Sequence, residues 1–325
     1  MKYSVLLIGL GRMGMGYDLE KRSEACLTHA NAFSSNASFQ LVGAVDLDPK
    51  LRSIFTKVYG GYCSDSLVEA ITTLKPDVVI ISTPTKTHSN TLLKVLELHS
   101  PKLILCEKPL SYILDEAEKM VEICSQKGVK LYVNYPRRAE NSVSEVRSRL
   151  ALNLIKGPCR GVVWYSKGLI HNGSHFVDLL GSWFGQPGSF SIISNGRPVG
   201  DDDVEPDFRV TYKDGEFIYL AAKEEHFSHY EIQIMAANGC LRYEHGGRRV
   251  SWQPVIKDSL VDGYFVLSSE SESVPSSSDR IMMFVADEIL LALSGKTSTL
   301  CTGIEALENL KFINSVKNSC LKGLE

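Results

Sequence analysis

The sequence of 325 residues predicts two domains: an α/β domain with a doubly wound parallel sheet over residues 1–135, and an α+β domain with a mainly antiparallel, open sheet over residues 136–325. Three observations support this fold class. Apolar strand segments alternate with helical segments in the first part, and a glycine-rich turn follows the first strand. In the second part, Asp-Gly and Asn-Gly turns join successive strands.

The strand segments of the first part are apolar throughout, which is typical of a parallel sheet with helices on both faces. Their alternation with helices along the chain predicts a doubly wound sheet. The predicted strands are Tyr3–Leu10, Gln40–Asp46, Val78–Ser82, Leu103–Cys106 and Lys130–Asn134. The predicted helices lie near His29–Ser34, Ser66–Leu74, Ser89–His99 and Leu114–Lys127.

The second part follows the pattern of an antiparallel sheet. Tyr230, Ile232 and Ile234 alternate with polar residues, which is the period of a strand with one covered face. Turns at Lys213–Gly215 and Ala237–Gly239 predict hairpins. The predicted strands are Gly161–Lys167, Asp207–Tyr212, Glu216–Lys223, Tyr230–Ala236 and Cys240–His245.

The last segments of the chain differ from these strands. Two amphipathic helices are predicted near Arg280–Leu293 and Ile304–Cys320. The serine-rich segment Ser268–Ser278 has no apolar period, so we expect a flexible loop there.

Charge and composition exclude several classes of partner. The formal net charge is −3 and the basic residues are scattered, so nucleic acid and anionic membranes are not expected partners. No apolar run approaches the roughly 20 residues of a membrane span, and Met1–Ser4 leads directly into a strand, so a cytoplasmic location is expected. None of the eight cysteines is paired in a CxxC spacing, and no metal site is expected.

The first strand ends in a GxGxxG turn formed by Gly9, Gly11 and Gly14, with Arg12 and Met13 between the last two glycines. Glycines allow a tight turn and let the backbone approach a pyrophosphate, so the turn predicts a dinucleotide site. The second predicted strand ends in Asp46. A carboxylate there accepts hydrogen bonds from ribose hydroxyls and repels a 2′-phosphate, which favours NAD over NADP. The alternative is a glycine turn beside a surface carboxylate.

The spacing between turn and acid is unusual. Asp46 lies 32 residues after Gly14, whereas about 20 is usual. The excess fits an insertion over Met15–Glu24. This insertion either helps to close the site or is a loop on the protein surface.

Two further segments carry candidate catalytic groups. Glu107-Lys108-Pro109 follows a predicted strand, at the edge of the sheet where doubly wound folds bind ligands. His175 and Asp178 are three residues apart on a predicted helix and share one face. An imidazole exchanges protons near neutral pH. The alternatives are an exposed lysine at the end of a strand and a histidine of the core or a helix cap.

Together these motifs resemble the glucose–fructose oxidoreductase / inositol dehydrogenase / MocA (Gfo/Idh/MocA) family, with a Rossmann domain at the N-terminus. The resemblance extends to the helix that begins at Gly303 and so covers essentially the whole chain. The matched pieces are Gly9–Gly14, Ala44–Asp46, Ser82-Thr83-Pro84-Thr85 with His88, Glu107-Lys108-Pro109, and His175 with Asp178.

The resemblance implies a role for each piece. Ser82, Thr83, Pro84, Thr85 and His88 would border the cofactor, and Glu107 would lie near the nicotinamide. Lys108 would hydrogen-bond the reacting hydroxyl, and His175 would transfer its proton.

The family resemblance also implies a set of substrate residues. Arginines in this set suit an anionic group such as a carboxylate or a nucleotide phosphate. The set consists of Asn134, Tyr135, Arg137, Arg138, Asn172 and Asp178.

One position departs from the family pattern. Dehydrogenases of the family commonly carry Asp four residues before the catalytic histidine, and this chain has His171 there. His171 is therefore a second candidate for proton transfer, and His171 or Asn172 could contact a sugar hydroxyl. The segment Ser166–His175 is similar to that of family members associated with surface-polysaccharide sugar metabolism.

These observations predict an enzyme that transfers a hydride between NAD(H) and a secondary hydroxyl or keto carbon of a sugar or sugar nucleotide. We expect it to act as a homo-oligomer, either a dimer or a tetramer. Two alternatives remain open at this point, a non-catalytic sugar sensor on the same fold and an NAD-dependent glycosidase.

Overall fold

The structure is a computed structural model that describes residues 2–19, 25–200 and 203–322. The chain forms two compact units. Unit 1 comprises Met1–Ala139 and Asp279–Leu307, and unit 2 comprises Glu140–Ser278 and Glu308–Glu325. The sequence-based division at residue 135 is close to the end of the first segment. It did not include the return of the chain to unit 1 at Asp279.

The first 139 residues alternate between strands and helices. The strands are β1 (Tyr3–Ile8), β2 (Phe39–Val45), β3 (Tyr62–Ser64), β4 (Val78–Ile81), β5 (Leu103–Glu107) and β6 (Lys130–Asn134). The helices are α1 (Tyr17–Leu19), α2 (His29–Ser35), α3 (Pro49–Tyr59), α4 (Leu67–Leu74), α5 (His88–Leu98) and α6 (Leu114–Gln126).

The following residues, up to 278, contain two helices and a series of strands. The helices are α7 (Asn141–Ala151) and α8 (Ser174–Phe184). The strands are β7 (Cys159–Tyr165), β8 (Phe190–Ser194), β9 (Pro198–Val199), β10 (Asp203–Val204), β11 (Asp207–Tyr212), β12 (Gly215–Ala221), β13 (Glu231–Ala236), β14 (Gly239–Glu244), β15 (Arg249–Lys257), β16 (Phe265–Leu267) and β17 (Glu272–Val274). The chain then ends with α9 (Ile281–Leu293), β18 (Cys301–Thr302) and α10 (Gly303–Lys322).

Unit 1 contains the doubly wound sheet that the sequence predicts. Its strand order is β18-β6-β5-β4-β1-β2-β3, and the pairs from β6 to β3 are parallel. Strands β4 and β5 are buried along their whole length, because helices cover both faces of the sheet. All five predicted strands of this part are present, and their ends differ from the prediction by at most two residues.

Helices α1 and α3 and strands β3 and β18 of unit 1 were not predicted. Helix α3 begins with Asp48 as its N-cap and Pro49 at its first position, a start signal that is readable in the sequence, and Phe55 is its one buried residue. Strands β3 and β18 have three and two residues. Such short edge strands give too few residues for a period-two pattern to show.

Unit 2 contains a nine-stranded sheet in the order β16-β15-β14-β13-β7-β12-β11-β8, with β17 paired to β15. The two predicted hairpins, β11–β12 and β13–β14, are antiparallel. Strand β7 lies between them and pairs antiparallel with β13 and parallel with β12. The sheet is therefore mainly antiparallel, as predicted, with one parallel pair at its centre.

The prediction of a flexible loop over Ser268–Ser278 was wrong for its centre. Glu272–Val274 pairs with β15, and Val274 is 2% exposed. One buried side chain and a free strand edge suffice to order three residues, and neither signal produces a periodic pattern in the sequence.

Among the described residues, no helix is both long and apolar enough to cross a membrane.

The core of unit 2 makes a stability prediction. Phe208 is fully buried and stacks on Tyr219 with ring centroids 4.6 Å apart. Phe208→Ala should lower the free energy of unfolding by about 3–5 kcal/mol because it removes buried contacts and leaves a cavity. The control is Phe227→Ala, at a position 64% exposed, where a change within about 0.5 kcal/mol is expected. Equal losses in urea unfolding of the two variants would contradict the assigned core.

Candidate active site

The glycine turn after β1 is shaped by close backbone contacts. Gly9 has a φ of 96°, and a Cβ on it would lie 2.5 Å from the carbonyl oxygen of Ser82. A Cβ on Gly14 would collide with the carbonyl oxygen of Gly9. Both positions therefore require glycine. The turn continues into a single π-helical turn, Arg12–Gly16.

One side of this turn is open. A Cβ built on Gly11 meets no atom within 4 Å among the described residues, and Arg12 is exposed. Nearby, the hydroxyl of Ser82 is buried and has no hydrogen-bond partner among the described residues. Open backbone beside an unpaired hydroxyl fits the diphosphate of a dinucleotide, which needs close backbone approach and hydrogen-bond donors.

Asp46 follows β2 and bonds to the glycine turn. Its Oδ2 accepts from the Leu10 amide at 2.7 Å, and its Oδ1 accepts from the Asp48 amide at 2.8 Å. Each oxygen of an ionised carboxylate can accept a second bond, so the predicted contact with a ribose remains open to it. Arg52, which the sequence analysis missed, donates from Nη1 to the carbonyl oxygens of Asp46 and Leu47 at 2.8 and 3.0 Å.

His88 connects the segment Ser82–Thr85 to the Glu-Lys-Pro segment. Its ring is fully buried. The Nε2 atom lies 2.9 Å from the carbonyl oxygen of Thr83, and Nδ1 lies 3.1 Å from that of Pro109. His88 therefore fixes the two backbone segments that were predicted to border the cofactor.

Glu107 is the last residue of β5 and is 8% exposed. Its Oε1 is 2.7 Å from His29 Nε2 and 2.7 Å from Asn134 Nδ2, and its Oε2 accepts from the Lys108 amide at 3.3 Å. Burial raises the pKa of this carboxyl, but the hydrogen bonds from His29 and Asn134 and the charges of His29 and Lys108 outweigh burial and hold its pKa below the usual range. The site thus contains a buried, ionised carboxylate directly before Lys108.

Lys108 itself is partly exposed and precedes Pro109 through a cis peptide bond. It lies at the carboxyl end of β5, the edge at which doubly wound sheets bind their ligands. The contact with the substrate oxygen that the family resemblance implies for Lys108 stays a prediction.

The predicted substrate residues after β6 are mostly buried. Asn134 is fully buried and bonds to Glu107, and Tyr135 is 3% exposed. Arg138 is 3% exposed, and its Nη1 donates to Glu305 Oε1 at 2.8 Å. These contacts favour structural roles for Asn134 and Arg138 over the predicted contact with substrate. Arg137 is partly exposed and remains the arginine that could reach a ligand.

In unit 2 the histidine segment begins with a π-helical turn, Leu169–Gly173, and continues as α8. His171 is exposed on that turn, and Asn172 is partly exposed. His175 lies in the first turn of α8 and is 7% exposed. Asp178 is 1% exposed, and its Oδ1 accepts from Asn309 Nδ2 at 3.0 Å, so it fixes α8 to α10.

Two carboxylates that the sequence analysis missed hold this turn in place. Asp203 accepts from the amides of Ile170 and His171, each at 3.0 Å. Glu205 is 2% exposed and accepts from the Gly168 amide at 2.9 Å. The acidic run that begins at residue 201 was a visible signal, but Asp203 lies 33 and 32 residues after Ile170 and His171, whose amides it binds. Residues 201–202 are outside the described part.

The structure therefore brings the predicted residues together in two groups. Within unit 1, the glycine turn, Asp46, Ser82–Thr85, His88 and the Glu107–Pro109 segment are neighbours through the contacts above. Within unit 2, His171, Asn172, His175 and Asp178 lie on consecutive turns. The insertion predicted at Met15–Glu24 begins within the π-helical turn and α1, and its residues 20–24 lie outside the described part.

Part of the chain is similar in sequence to known proteins. Residues 3–135 match the family model GFO_IDH_MocA, described as an oxidoreductase family with an NAD-binding Rossmann fold. Inositol 2-dehydrogenase from Rhizobium meliloti (strain 1021) is 29% identical over 145 residues, which are 44% of this chain and 39% of that protein. This chain therefore matches less than half the length of that relative.

Solved structures resemble the chain over nearly its whole length. The WlbA dehydrogenase from Bordetella pertussis, in complex with NADH and UDP-GlcNAcA, is 16% identical with a TM-score of 0.74, covering 99% of this chain and 98% of that one. A variant of a 3-ketoreductase from Actinomadura kijaniata, in complex with TDP-benzene and NADP, is 13% identical with a TM-score of 0.74, covering 98% of each chain. At these identities the likeness shows the fold.

The family match includes the glycine turn, Asp46, Ser82–Thr85 and the Glu107–Pro109 segment. These are the pieces of unit 1 on which the resemblance was based. The curated relative and the family description agree with that resemblance. Residues 3–135 are therefore similar to the N-terminal NAD-binding Rossmann domain of the Gfo/Idh/MocA family of oxidoreductases.

Proposed function

We propose that the protein is an NAD(H)-dependent oxidoreductase that transfers a hydride between its cofactor and a secondary hydroxyl or keto carbon of a sugar or sugar nucleotide. The observation that carries the proposal is the placement of Lys108. It follows a buried, ionised carboxylate at the carboxyl end of β5, and His88 connects its segment to the loop after β4. A cationic side chain at this position suits an alcohol or carbonyl oxygen as its partner.

Each residue has a defined part in this proposal. The nicotinamide of the bound cofactor supplies the hydride chemistry. Lys108 donates a hydrogen bond to the substrate oxygen and stabilises the negative charge that develops on it. In the oxidation direction, His175 accepts the proton of the hydroxyl, and His171 is the second candidate for this transfer. Asp178 and Asn309 orient the helix that carries His175.

NAD is the proposed cofactor, in preference to NADP. The carboxylate of Asp46 would bind the ribose hydroxyls and repel a 2′-phosphate. The nearest arginine along the chain, Arg52, is bound to two carbonyl oxygens, and its Nη2 lies 3.4 Å from Asp65 Oδ2. Because its guanidinium already makes these contacts, Arg52 is not expected to bind a 2′-phosphate.

A sugar nucleotide is the proposed substrate class. Support comes from the nucleotide sugar bound to the WlbA dehydrogenase, which shares this fold. The partly exposed Arg137 after β6 would suit the diphosphate of such a substrate. A role in surface-polysaccharide synthesis, a cytoplasmic location and homo-oligomeric assembly stay predictions.

The deciding experiment is a screen of inositols, sugars, sugar phosphates and UDP-sugars with NAD⁺ and NADH, following absorbance of the reduced cofactor. We expect turnover with a sugar or sugar nucleotide and a net change in NADH equal to the product formed. Sugar binding without turnover would favour the sensor instead. Release of a free leaving group without net NADH would favour the glycosidase.

Replacement of Lys108 tests the catalytic assignment. Lys108→Met should lower kcat by about 10²–10⁴-fold, because a developing charge loses its hydrogen-bond donor. The Kd for NADH, measured by fluorescence, should change by less than about threefold, since other residues bind the dinucleotide. Lys127→Met, at an exposed position after α6, is the control and should behave as wild type. Retention of turnover by the Lys108 variant would remove this residue from the mechanism.

Replacement of Asp46 tests the cofactor assignment. Asp46→Asn removes the charge and keeps an oxygen acceptor for the Leu10 amide, so the glycine turn should persist. The ratio of kcat/KM for NAD to that for NADP should fall at least about tenfold, because repulsion of the 2′-phosphate is lost. Asp48→Asn removes the same charge two residues away and leaves an N-cap on α3. A shift of the same size in both variants would contradict a specific role for Asp46.

A further inference from the structure

A buried imidazole lies against the carboxylate of the Glu-Lys-Pro segment. His29 is the first residue of α2 and is fully buried, and its Nε2 lies 2.7 Å from Glu107 Oε1. The preceding residue, Thr28, is the N-cap of α2, and its hydroxyl donates to Asp18 Oδ2 at 2.6 Å. The start of α2 is thus fixed by two contacts, one from Thr28 to Asp18 and one from the ring of His29 to Glu107.

The hydrogen bonds assign donors and acceptors. An ionised carboxylate only accepts, so His29 Nε2 and Asn134 Nδ2 both donate to Glu107 Oε1. The other oxygen, Oε2, accepts from the Lys108 amide. His29 Nδ1 is buried and has no hydrogen-bond partner in the described part of the chain, so the one polar contact that explains this ring is the bond to Glu107.

The groups around Glu107 have unequal effects on it. His29 from α2 and Lys108 favour its ionised form, and Cys106 on the same strand carries a thiol whose pKa burial raises well above its usual value, so this neighbour is neutral. Asn134 from β6 is a neutral donor. Among these groups, His29 lowers the pKa of Glu107 most, so its removal would let burial raise that pKa.

We propose that His29 is a positioning residue that binds the Glu107 carboxylate, and that Glu107 in turn holds the backbone of Lys108 in place for the substrate oxygen. This inference rests on the proposed role of Lys108. His29 touches neither substrate nor cofactor in this scheme. Its effect reaches the reaction through two contacts, His29 to Glu107 and Glu107 to Lys108.

The first test is the pH dependence of kcat/KM in two variants. His29→Leu removes the donor, so the pKa of Glu107 should rise, and activity should be lost at a higher pH on the acid side, by about one pH unit. His29→Gln keeps an N–H donor that can reach Glu107, so its acid limb should stay close to that of wild type. A purely structural role would lower activity in both variants without moving the acid limb.

The second test needs no cofactor. The protein is labelled with ¹³C at the side-chain carboxyls of glutamate, and the Glu107 signal is assigned by its loss in Glu107→Gln. In His29→Leu this signal should titrate at a higher pH than in wild type, whereas in His29→Gln it should not. If His29→Leu does not fold, His29→Asn, whose shorter amide cannot reach Glu107, takes its place.

The control and the outcomes separate this inference from the proposed function. His99→Leu removes an imidazole of the same unit whose Nε2 lies 2.9 Å from the Pro76 carbonyl oxygen, and it should leave both readouts unchanged. If Lys108→Met is inactive but His29→Leu moves neither the acid limb nor the Glu107 signal, the inference is overturned and the proposed function stands. If Lys108→Met retains turnover, the proposed function fails first.

Discussion

The arrangement of unit 1 depends on one constraint, the need to keep the carboxylate of Glu107 charged while it is buried. An isolated buried carboxylate would take up a proton, because burial penalises its charged form. Here donors converge on it from α2, from β6 and from the backbone of Lys108. Since these elements are distant in the sequence, the carboxylate also fixes the helix and the two strand ends relative to one another.

Carboxylates also bind backbone amides at three other turns of the two units. Asp46 accepts from the amide of Leu10 in the glycine turn, and Asp18 accepts from the amides of Leu27 and Thr28 before α2. Asp203 and Glu205 do so for the turn that carries His171. Backbone amides outside helices and strands have no ladder partner, and a carboxylate supplies one with a strong, charge-assisted bond. These carboxylates thereby order the glycine turn, the segment before α2 and the turn that carries His171.

The parts of the fold that could be predicted from the sequence are those with local causes. The apolar strands β4 and β5 and the glycine turn follow from patterns within ten residues, and the hairpins follow from their Asp-Gly and Asn-Gly turns. The family resemblance added the proposed roles of Lys108 and His175, which stay predictions. By contrast, β17 has one buried side chain and no local pattern that reveals it, whereas the start signal of α3 at Asp48 and Pro49 is local and was missed.

The parts of the site that could not be predicted depend on partners far apart in the chain. His29 and Glu107 are separated by 78 residues, and Arg138 and Glu305 by 167. A lone arginine after a strand has the same sequence signal whether it faces a ligand or a buried carboxylate, so Arg138 was assigned to substrate although Glu305 binds it. Residue type predicts the chemistry that a side chain can perform, whereas burial and pairing decide whether it performs that chemistry on a ligand or within the fold. At Glu107, His29 and Asn134 stabilise the buried charge, and the same carboxylate binds the backbone amide of Lys108, the candidate catalytic residue that follows it.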